Sequence, residues 1–540
     1  MKDLWRRLSP WLALGSLIIG TRLWYFTAQD LSDMPGASGP KLLVTATQGR
    51  FHNDWATWLV GCLLPTAGGD ALLASQLASM IGGLAAALGM IFAGAALAGR
   101  TGAIGAGLAV GCWSMSTWMP LLTGPDPLVF GAAWLAIGLT WAGFALEFKG
   151  APLVIAGSWL AMFSVAIRET AIPTLAFVAL APLMVRSWRG VVSLLAMGLG
   201  LKLGWHHLPQ ELNHSAPLNQ ANLSIETLKA GWEWVLFLQD RHMPEGRFEQ
   251  LTVLALIAAA LPGPKWARRA LIGVLAVVIF FYTAAILGPK TRPRHLTSVA
   301  FGMVLMTGVL GGTLADLFKR WRGMRWAPAI VLALLMSLDT LAFMNNWGTY
   351  RAKITGAELP LLPAAPEIFQ RRYPHNSDLN HRDLTAYGAA ELVELASKYP
   401  GGIAIPRLRD ERQYHLIAAA ELQGLPWLVL NPKLCCREPA NFCSRRLVEE
   451  INDANMTIVL PTEIEGIRRI NASDEAWTNA LLEAIEETEK MEEAAFWFVV
   501  PPDGHKTRPV PCPSSNPNMR GEGASMTPHH PPATRPPRRH

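Results

Sequence analysis

The groups in this 540-residue chain with the means to do chemistry are ionisable side chains standing beside long apolar runs. They are Arg22 followed by Asp30 and Asp33, then Asp54, Asp126, the neighbours Arg168 and Glu169, His206 with His207, and Arg292, Arg294 and His295. A charge next to hydrocarbon is costly unless it serves something, so such residues are the first places to look for a site. A carboxylate can take the proton of an acceptor hydroxyl or hold a divalent cation, and a guanidinium can stabilise a departing phosphate. Together they suit transfer of a group from a phosphate-linked donor.

Each residue also has a plain structural role to set against that one. Asp126 lies in Thr123-Gly124-Pro125-Asp126-Pro127, where an aspartate beside proline caps a helix start. Asp30, Asp33 and Asp54 fall in a polar stretch where an aspartate is ordinarily solvated, and Arg22 can snorkel to lipid headgroups. Arg168 and Glu169 can pair with each other at a turn. His206 and His207 have no cysteine or carboxylate partners at ligand spacing, which argues against zinc. Cys443 is spaced to bridge to Cys435 or Cys436 in an oxidising compartment, and the absence of C-x-x-C spacing or a nearby histidine disfavours a metal there.

The elements that must position these groups are membrane spans. Hydrophobic residues make up 51% of the chain and charged ones only 16%, the balance of a polytopic membrane protein. About eleven apolar segments approach the roughly 20 residues needed to cross hydrocarbon. They lie near 10–28, 71–98, 102–120, 127–147, 151–168, 170–186, 189–205, 249–263, 266–288, 296–317 and 326–344. Arg168 and Glu169 alone separate two of them, which predicts either a tight hairpin or an irregular, polar interruption. Basic clusters recur at alternate loops: Lys2, Arg6 and Arg7; Arg100; Lys149; Arg186 and Arg189; Lys265, Arg268 and Arg269; Lys319, Arg320, Arg322 and Arg325. By the positive-inside rule these are cytoplasmic, with the N-terminus, in a bacterial inner membrane. The candidate carboxylates and Lys290 to His295 then share the outer side. Because the basic residues sit at membrane-flanking loops and in the tail, the pI near 9.0 reports topology and anionic lipids, and nucleic acid is discounted as a partner.

Three regions follow: a transmembrane domain over 1–345, an outer, periplasmic α/β domain over 346–502, and a disordered Pro/Arg/His-rich tail over 503–540. In the second, strand-like runs at Gly402–Leu408, Pro426–Leu430, Met456–Leu460 and Phe496–Val500 alternate with helical patterns at 383–398, 410–423, 444–454 and 473–492. That predicts a small, largely parallel sheet. No phosphate loop or G-x-G-x-x-G occurs there. The segment 206–248, with Trp232 and Trp234, reads as an outer interfacial helix.

In organisation, residues 10–344 resemble the GT-C class of integral membrane glycosyltransferases, which use polyprenyl-phosphate sugars and include protein mannosyltransferases and aminoarabinose transferases. Thr21-Arg22-Leu23-Trp24 ends a first span before an acidic outer loop with Asp30, and Leu77 to Met90 is similar to the class's small-residue helix. Asp126-Pro127-Leu128 resembles its second acidic position, and Arg292-Pro293-Arg294-His295 resembles its outer arginine motif before a late span. The class's Asp-Glu pair is missing, since Leu31 follows Asp30 and Met34 follows Asp33; the first-loop carboxylate therefore stays open among Asp30, Asp33 and Asp54.

The resemblance implies an inverting transferase that takes its sugar from a lipid-linked donor at the outer leaflet. Asp30 or Asp33 would be the base or orient the acceptor, Asp126 would assist or hold a divalent cation, and Arg292 with Arg294 would hold the donor phosphate. Arg22, Asp54, Arg168, Glu169 and His295 would line the same substrate site. Sugar, acceptor and metal requirement stay open. A transporter or flippase of lipid-linked material, or a non-enzymatic membrane scaffold with a partner-binding outer domain, are the readings from other classes; the first predicts internal repeats, and none is evident.

Overall fold

The computed structural model describes residues 11–21, 55–113, 125–206 apart from 186 and 189, 224–241, 248–262, 265–287, 293–321 and 324–337, and short stretches between 401 and 500. By contacts the chain divides into two compact units, residues 1–28 with 76–375, and residues 29–75 with 376–540.

Among the described residues, each apolar segment expected from the sequence contains helical structure. The helices are α1 (Trp11–Thr21), α2 (Trp55–Leu63), α3 (Ala71–Cys112), α4 (Pro125–Ala145), α5 (Ala151–Ile167) and α6 (Gly190–Trp205). They continue with α7 (Ile225–Arg241), α8 (Phe248–Ala260), α9 (Trp266–Leu287), α10 (Pro293–Leu317) and α11 (Ala327–Ser337). At 1.5 Å per residue, the 21 residues of α4 extend about 32 Å, enough to cross hydrocarbon.

Helix α3 is two spans. Its helical geometry breaks at Ala98 (φ −132°, ψ 16°) and Gly99 (φ 69°, ψ −150°), and the second arm returns along the first. A Cβ on Gly94 would collide with the Gly102 carbonyl and Ala106, residues that a straight helix would carry at least about 12 Å away. Gly99 supplies the positive φ that the reversal needs, and the adjacent Arg100 marks the turn as a loop. The separation expected between 98 and 102 is therefore correct, although hydrogen bonding runs through it.

The segment expected as a span over 170–186 is not one regular helix. Glu169–Thr174 and Ala181–Met184 are 3-10 turns around a single helical turn, Leu175–Ala179. Pro173 and Pro182 withhold amide donors, which regular helical bonding cannot absorb. Irregular backbone survives at membrane depth only where protein covers it. Ala171, Phe177, Val178, Ala181 and Met184 are accordingly buried, and the Phe177 carbonyl, which takes the Leu180 N–H at 3.2 Å, also accepts a hydrogen bond from Trp141 Nε1 at 2.8 Å.

Small residues set the helix spacing, as expected where lipid removes the hydrophobic drive between helices. Gly82 and Gly89 of α3 lie against Gly131 and Gly138 of α4, one heptad apart on each helix, so closely that a Cβ at any of the four would meet main chain. Gly105 of α3 meets Gly308 of α10 in the same way. The core around these contacts holds the buried Trp134, Trp141, Phe177, Phe280 and Phe301. The amphipathic α7 lies against α9, with Gly231 at the Phe281 carbonyl, Trp232 5.2 Å from the Phe281 ring, and Ile225, Trp232 and Leu236 exposed on one stripe.

The basic loops gather at one end of the helical unit, and their cations close helix C-termini, where carbonyls lack helical partners and the dipole favours positive charge. Lys265 Nζ donates to the Ala96 carbonyl at 3.2 Å, Arg268 Nη2 to Val185 at 3.2 Å, Arg269 Nη2 to Leu261 at 2.9 Å, and Arg325 Nε to Ala315 at 3.3 Å. Arg269, 1% exposed, also donates to Thr313 Oγ1. Asp316 joins the group by accepting from Thr101 Oγ1 at 2.8 Å and Arg325 Nη2 at 3.0 Å.

In the second unit, strands β1 (Ile403–Pro406), β2 (Trp427–Leu430), β3 (Thr457–Pro461), β4 (Glu492–Glu493) and β5 (Trp497–Val500) form a sheet in the order β2-β1-β3-β5-β4. The four longer strands stand where the sequence places them. β1 pairs in parallel with β2 and β3, as expected, whereas β5 runs antiparallel to both β3 and β4. The sheet is thus mixed, because the last strand returns beside β3 through the short β4. Of the expected intervening helices, only Ile417 and Ala420 within 410–423 are described, both helical and buried; 383–398 and 444–454 lie outside the described residues, and Glu492 at the end of 473–492 is strand.

Candidate functional site

Two of the sequence candidates meet directly. Helices α4 and α5 form an antiparallel hairpin, turned by the 3-10 segment Glu147–Gly150. Its register is locked by Gly143 against Gly150 and by Gly157 against Thr140 and the Ala136 carbonyl. The start of α4 therefore stands beside the end of α5. Asp126 lies in the first turn of α4, where exposed amides favour a carboxylate, and Arg168 follows Ile167 with extended backbone (φ −162°, ψ 138°). That break in helical geometry lets the arginine reach across the hairpin. Arg168 Nη1 donates to Asp126 Oδ1 at 2.6 Å.

Pairing across the hairpin is a role that neither plainer reading foresaw. Asp126 sits inside the helix, after Pro125, and the Arg168 side chain pairs with it; the expected local partner was Glu169, whose backbone opens the 3-10 turn. Exposure is unequal: 4% of the Asp126 side chain is accessible against 27% of Arg168. Two residues on, Thr170 Oγ1 is buried without a hydrogen-bond partner.

Other chain segments deliver candidates to the same end. Trp134 Nε1 donates to the Ser298 carbonyl at 2.7 Å, and the Trp113 and Phe301 rings lie 5.2 Å apart. These contacts hold α10 alongside α4, both leading inward, so Arg294 and His295 in the first turn of α10 lie toward the Asp126 end. Helix α6 runs with α5, Gly200 meeting Ile155 and Gly204 meeting Met162, which brings the exposed His206 to the Arg168 end. Helix α1 runs with the second arm of α3, Leu14 at Gly107 and Ile18 at Gly111, and points its C-terminus the same way. Arg22, Asp30, Asp33, Asp54, His207 and Arg292 lie outside the described residues.

Sequence reasoning passed over Glu249 and Asp316. Glu249 is in the first turn of α8, with Oε2 buried and without a hydrogen-bond partner; its signal was an acidic residue opening an apolar run. Among the described residues no group of three or more His, Cys, Asp or Glu side chains surrounds a metal position.

No protein-family model matches the sequence, and no curated protein matches it. Solved structures do match in fold. ArnT from Cupriavidus metallidurans, crystallised with undecaprenyl phosphate, superposes with a TM-score of 0.50 at 13% identity over 91% of this chain and 98% of its own. The fold is that of the GT-C class. Fainter likenesses are an oligosaccharyltransferase from Archaeoglobus fulgidus in complex with zinc and sulfate (TM-score 0.40, 12% identity, 86% of this chain and 69% of that one) and the mycobacterial arabinofuranosyltransferase AftD (0.42, 12%, 89% and 39%). On this GT-C scaffold, Asp126 and Arg168 are a buried pair of charges at the end opposite the basic loops.

Proposed function

We propose that the protein is an inverting membrane glycosyltransferase, moving a sugar from a polyprenyl-phosphate donor to an acceptor at the face that carries Asp126. The observation that carries this reading is the buried Asp126 paired with Arg168 at the end of a GT-C-folded helical unit, beside the helix that begins with Arg294 and His295. ArnT, the likeness with that fold, was crystallised with undecaprenyl phosphate, which supports a lipid phosphate as the donor's carrier. By the positive-inside rule the basic end is cytoplasmic and the Asp126 end faces outward, in a bacterial inner membrane.

In this reading an acceptor hydroxyl oxygen attacks the anomeric carbon while the carbon–oxygen bond to phosphate breaks. The hydroxyl proton passes to a carboxylate, Asp30 or Asp33 with Asp126 assisting, and the bonding electrons leave with the polyprenyl phosphate. Arg168, Arg292 and Arg294 stabilise the charge that develops there; Arg22, Asp54, Glu169 and His295 contribute to binding.

The test is transfer from polyprenyl-phosphate-linked sugars in membranes carrying Asp126→Asn, Asp30→Asn or Asp33→Asn. Loss of a proton-accepting carboxylate should lower the rate by roughly 10²–10⁴-fold. Full activity in all three variants would sink the assignment.

A further inference from the structure

We infer that two copies of this chain pair within the membrane: the exposed stripe of α6 in one copy lies antiparallel against the exposed stripe of α8 in the other, with Lys202 opposite Glu249. The pairing is independent of the transferase reading.

The two stripes match in register. On α6, Val191, Leu195, Gly198 and Lys202 are all exposed and follow one another at steps of four, three and four residues, which puts them in one line along the helix. On α8, Glu249, Val253, Leu256 and Ala260 repeat those steps; Glu249 is partly exposed and the other three are exposed. Helix α6 leaves the basic end, where Arg268 holds the Val185 carbonyl beside Gly190, and α8 arrives there, where Arg269 holds the Leu261 carbonyl. They therefore run in opposite directions. Laid antiparallel, Lys202 meets Glu249, Gly198 meets Val253, Leu195 meets Leu256 and Val191 meets Ala260. Gly198 and Ala260 each face a larger residue, the arrangement that lets membrane helices approach closely. A Cβ on Gly198 would meet nothing within 4 Å in its own chain, so the space is open to a neighbour.

The charges supply the reason for a partner. Lys202 stands exposed among the exposed Leu195, Leu199 and Leu203, Glu249 Oε2 is buried, and neither charged side chain has a partner among the described residues. Both lie at one depth. Thr252 meets Met303 of α10, so Glu249, a turn earlier, is level with Ala300. Gly200 and Gly204 bracket Lys202 against α5 between Ile155 and Met162, Gly157 of α5 meets Thr140 of α4, and Trp134 of α4 meets Ser298 and Phe301 of α10. That series of contacts sets Lys202 near Phe301. At 1.5 Å per residue, both charges are about 10 Å inside the start of α10 at Pro293. Ionisable groups at such depth are costly alone and pair with one another. Within one chain the two stripes stay uncovered, so the partner is a second copy. Neighbouring arginines of α9 hold the inner ends of α6 and α8, which puts both helices on one side of the unit; a two-fold axis along the membrane normal then makes the contact twice.

The experiment uses the full-length chain in lipid vesicles. In a cysteine-free background, copies carrying Lys202→Cys mixed with copies carrying Glu249→Cys should form a disulfide-linked dimer on oxidation, and so should Leu195→Cys mixed with Leu256→Cys. Phe148→Cys mixed with Trp232→Cys, on other surfaces, should not. Energy transfer between labelled copies then reads the dimer's dissociation. Lys202→Glu and Glu249→Lys should each weaken it about tenfold, and the double variant, with the charges exchanged, should return to within about threefold of the parent.

Parental association in both single reversals, or no recovery in the double variant, overturns the pairing. A dimer that gives neither cross-link overturns the choice of face. A chain that stays monomeric in vesicles leaves both stripes to lipid and overturns the inference as a whole. Because the double variant looks for a recovery, misfolding cannot mimic success.

Discussion

Removing either member of the Asp126–Arg168 pair should cost stability by different amounts. Arg168→Ala takes the guanidinium away from a carboxylate that is 4% exposed, and breaking a buried pair in this way costs about 3–5 kcal/mol. Asp126→Asn strands a guanidinium that is 27% exposed and carried on a long stem, which can turn toward water or headgroups, so about 1 kcal/mol is expected. Removing both charges takes the buried carboxylate away together with its counter-ion. The double variant should lose only about 1–2 kcal/mol, less than Arg168→Ala alone. The cycle thus predicts a coupling on the order of 2–5 kcal/mol, large for one contact because the carboxylate has so little access to solvent. Reversible unfolding in detergent, followed by tryptophan fluorescence for the four proteins, measures all the terms. Equal losses in the two single variants, or losses that simply add in the double, would refute the view that the cost is set by the buried carboxylate.

Leucine at Gly89 or Gly138 should destabilise the helical unit by several kcal/mol, since even a Cβ meets the facing main chain, whereas leucine at Gly198, with nothing within 4 Å, should be tolerated; thermal unfolding separates the cases. Gly99→Ala should cost about 1–2 kcal/mol through its φ of 69°, although the added methyl meets no atom. Trp134→Phe removes the indole donor to the Ser298 carbonyl and should cost about 1–3 kcal/mol by denaturant unfolding. Single cysteines at Lys149 and His206, in an otherwise cysteine-free chain, should react with impermeant maleimides from opposite sides of the membrane; labelling from the same side would break the two-ended arrangement.

Much of the helical unit was legible because its determinants are local. Apolar run length gives the spans, loop charge gives their alternation, and Pro125 with Asp126 marks the start of α4 one position before the aspartate. The four longer strands were legible for the same reason, each being a short apolar run between turn residues. The direction of β5 was not, since pairing is settled by contacts between distant segments. The irregular stretch 169–184 was only half legible: Pro173 and Pro182 spoil a regular helix, but the stretch survives because Phe177 and Met184 are buried among helices from elsewhere in the chain.

Sequence by itself determined which residues bear charge between the apolar runs and, for those the structure describes, toward which end they lie, because hydrophobic length and charge order act one span at a time. Tertiary structure decided what each charge does. Lys265, Arg268, Arg269 and Arg325 count toward topology in the sequence, and in the fold they close the C-termini of neighbouring helices. Arg168 has Glu169 as its neighbour in sequence, yet helical geometry ends at Arg168 and the glycine-locked hairpin presents Asp126 to it. A carboxylate selects its counter-ion by distance and by shelter from water, and both are properties of packed helices.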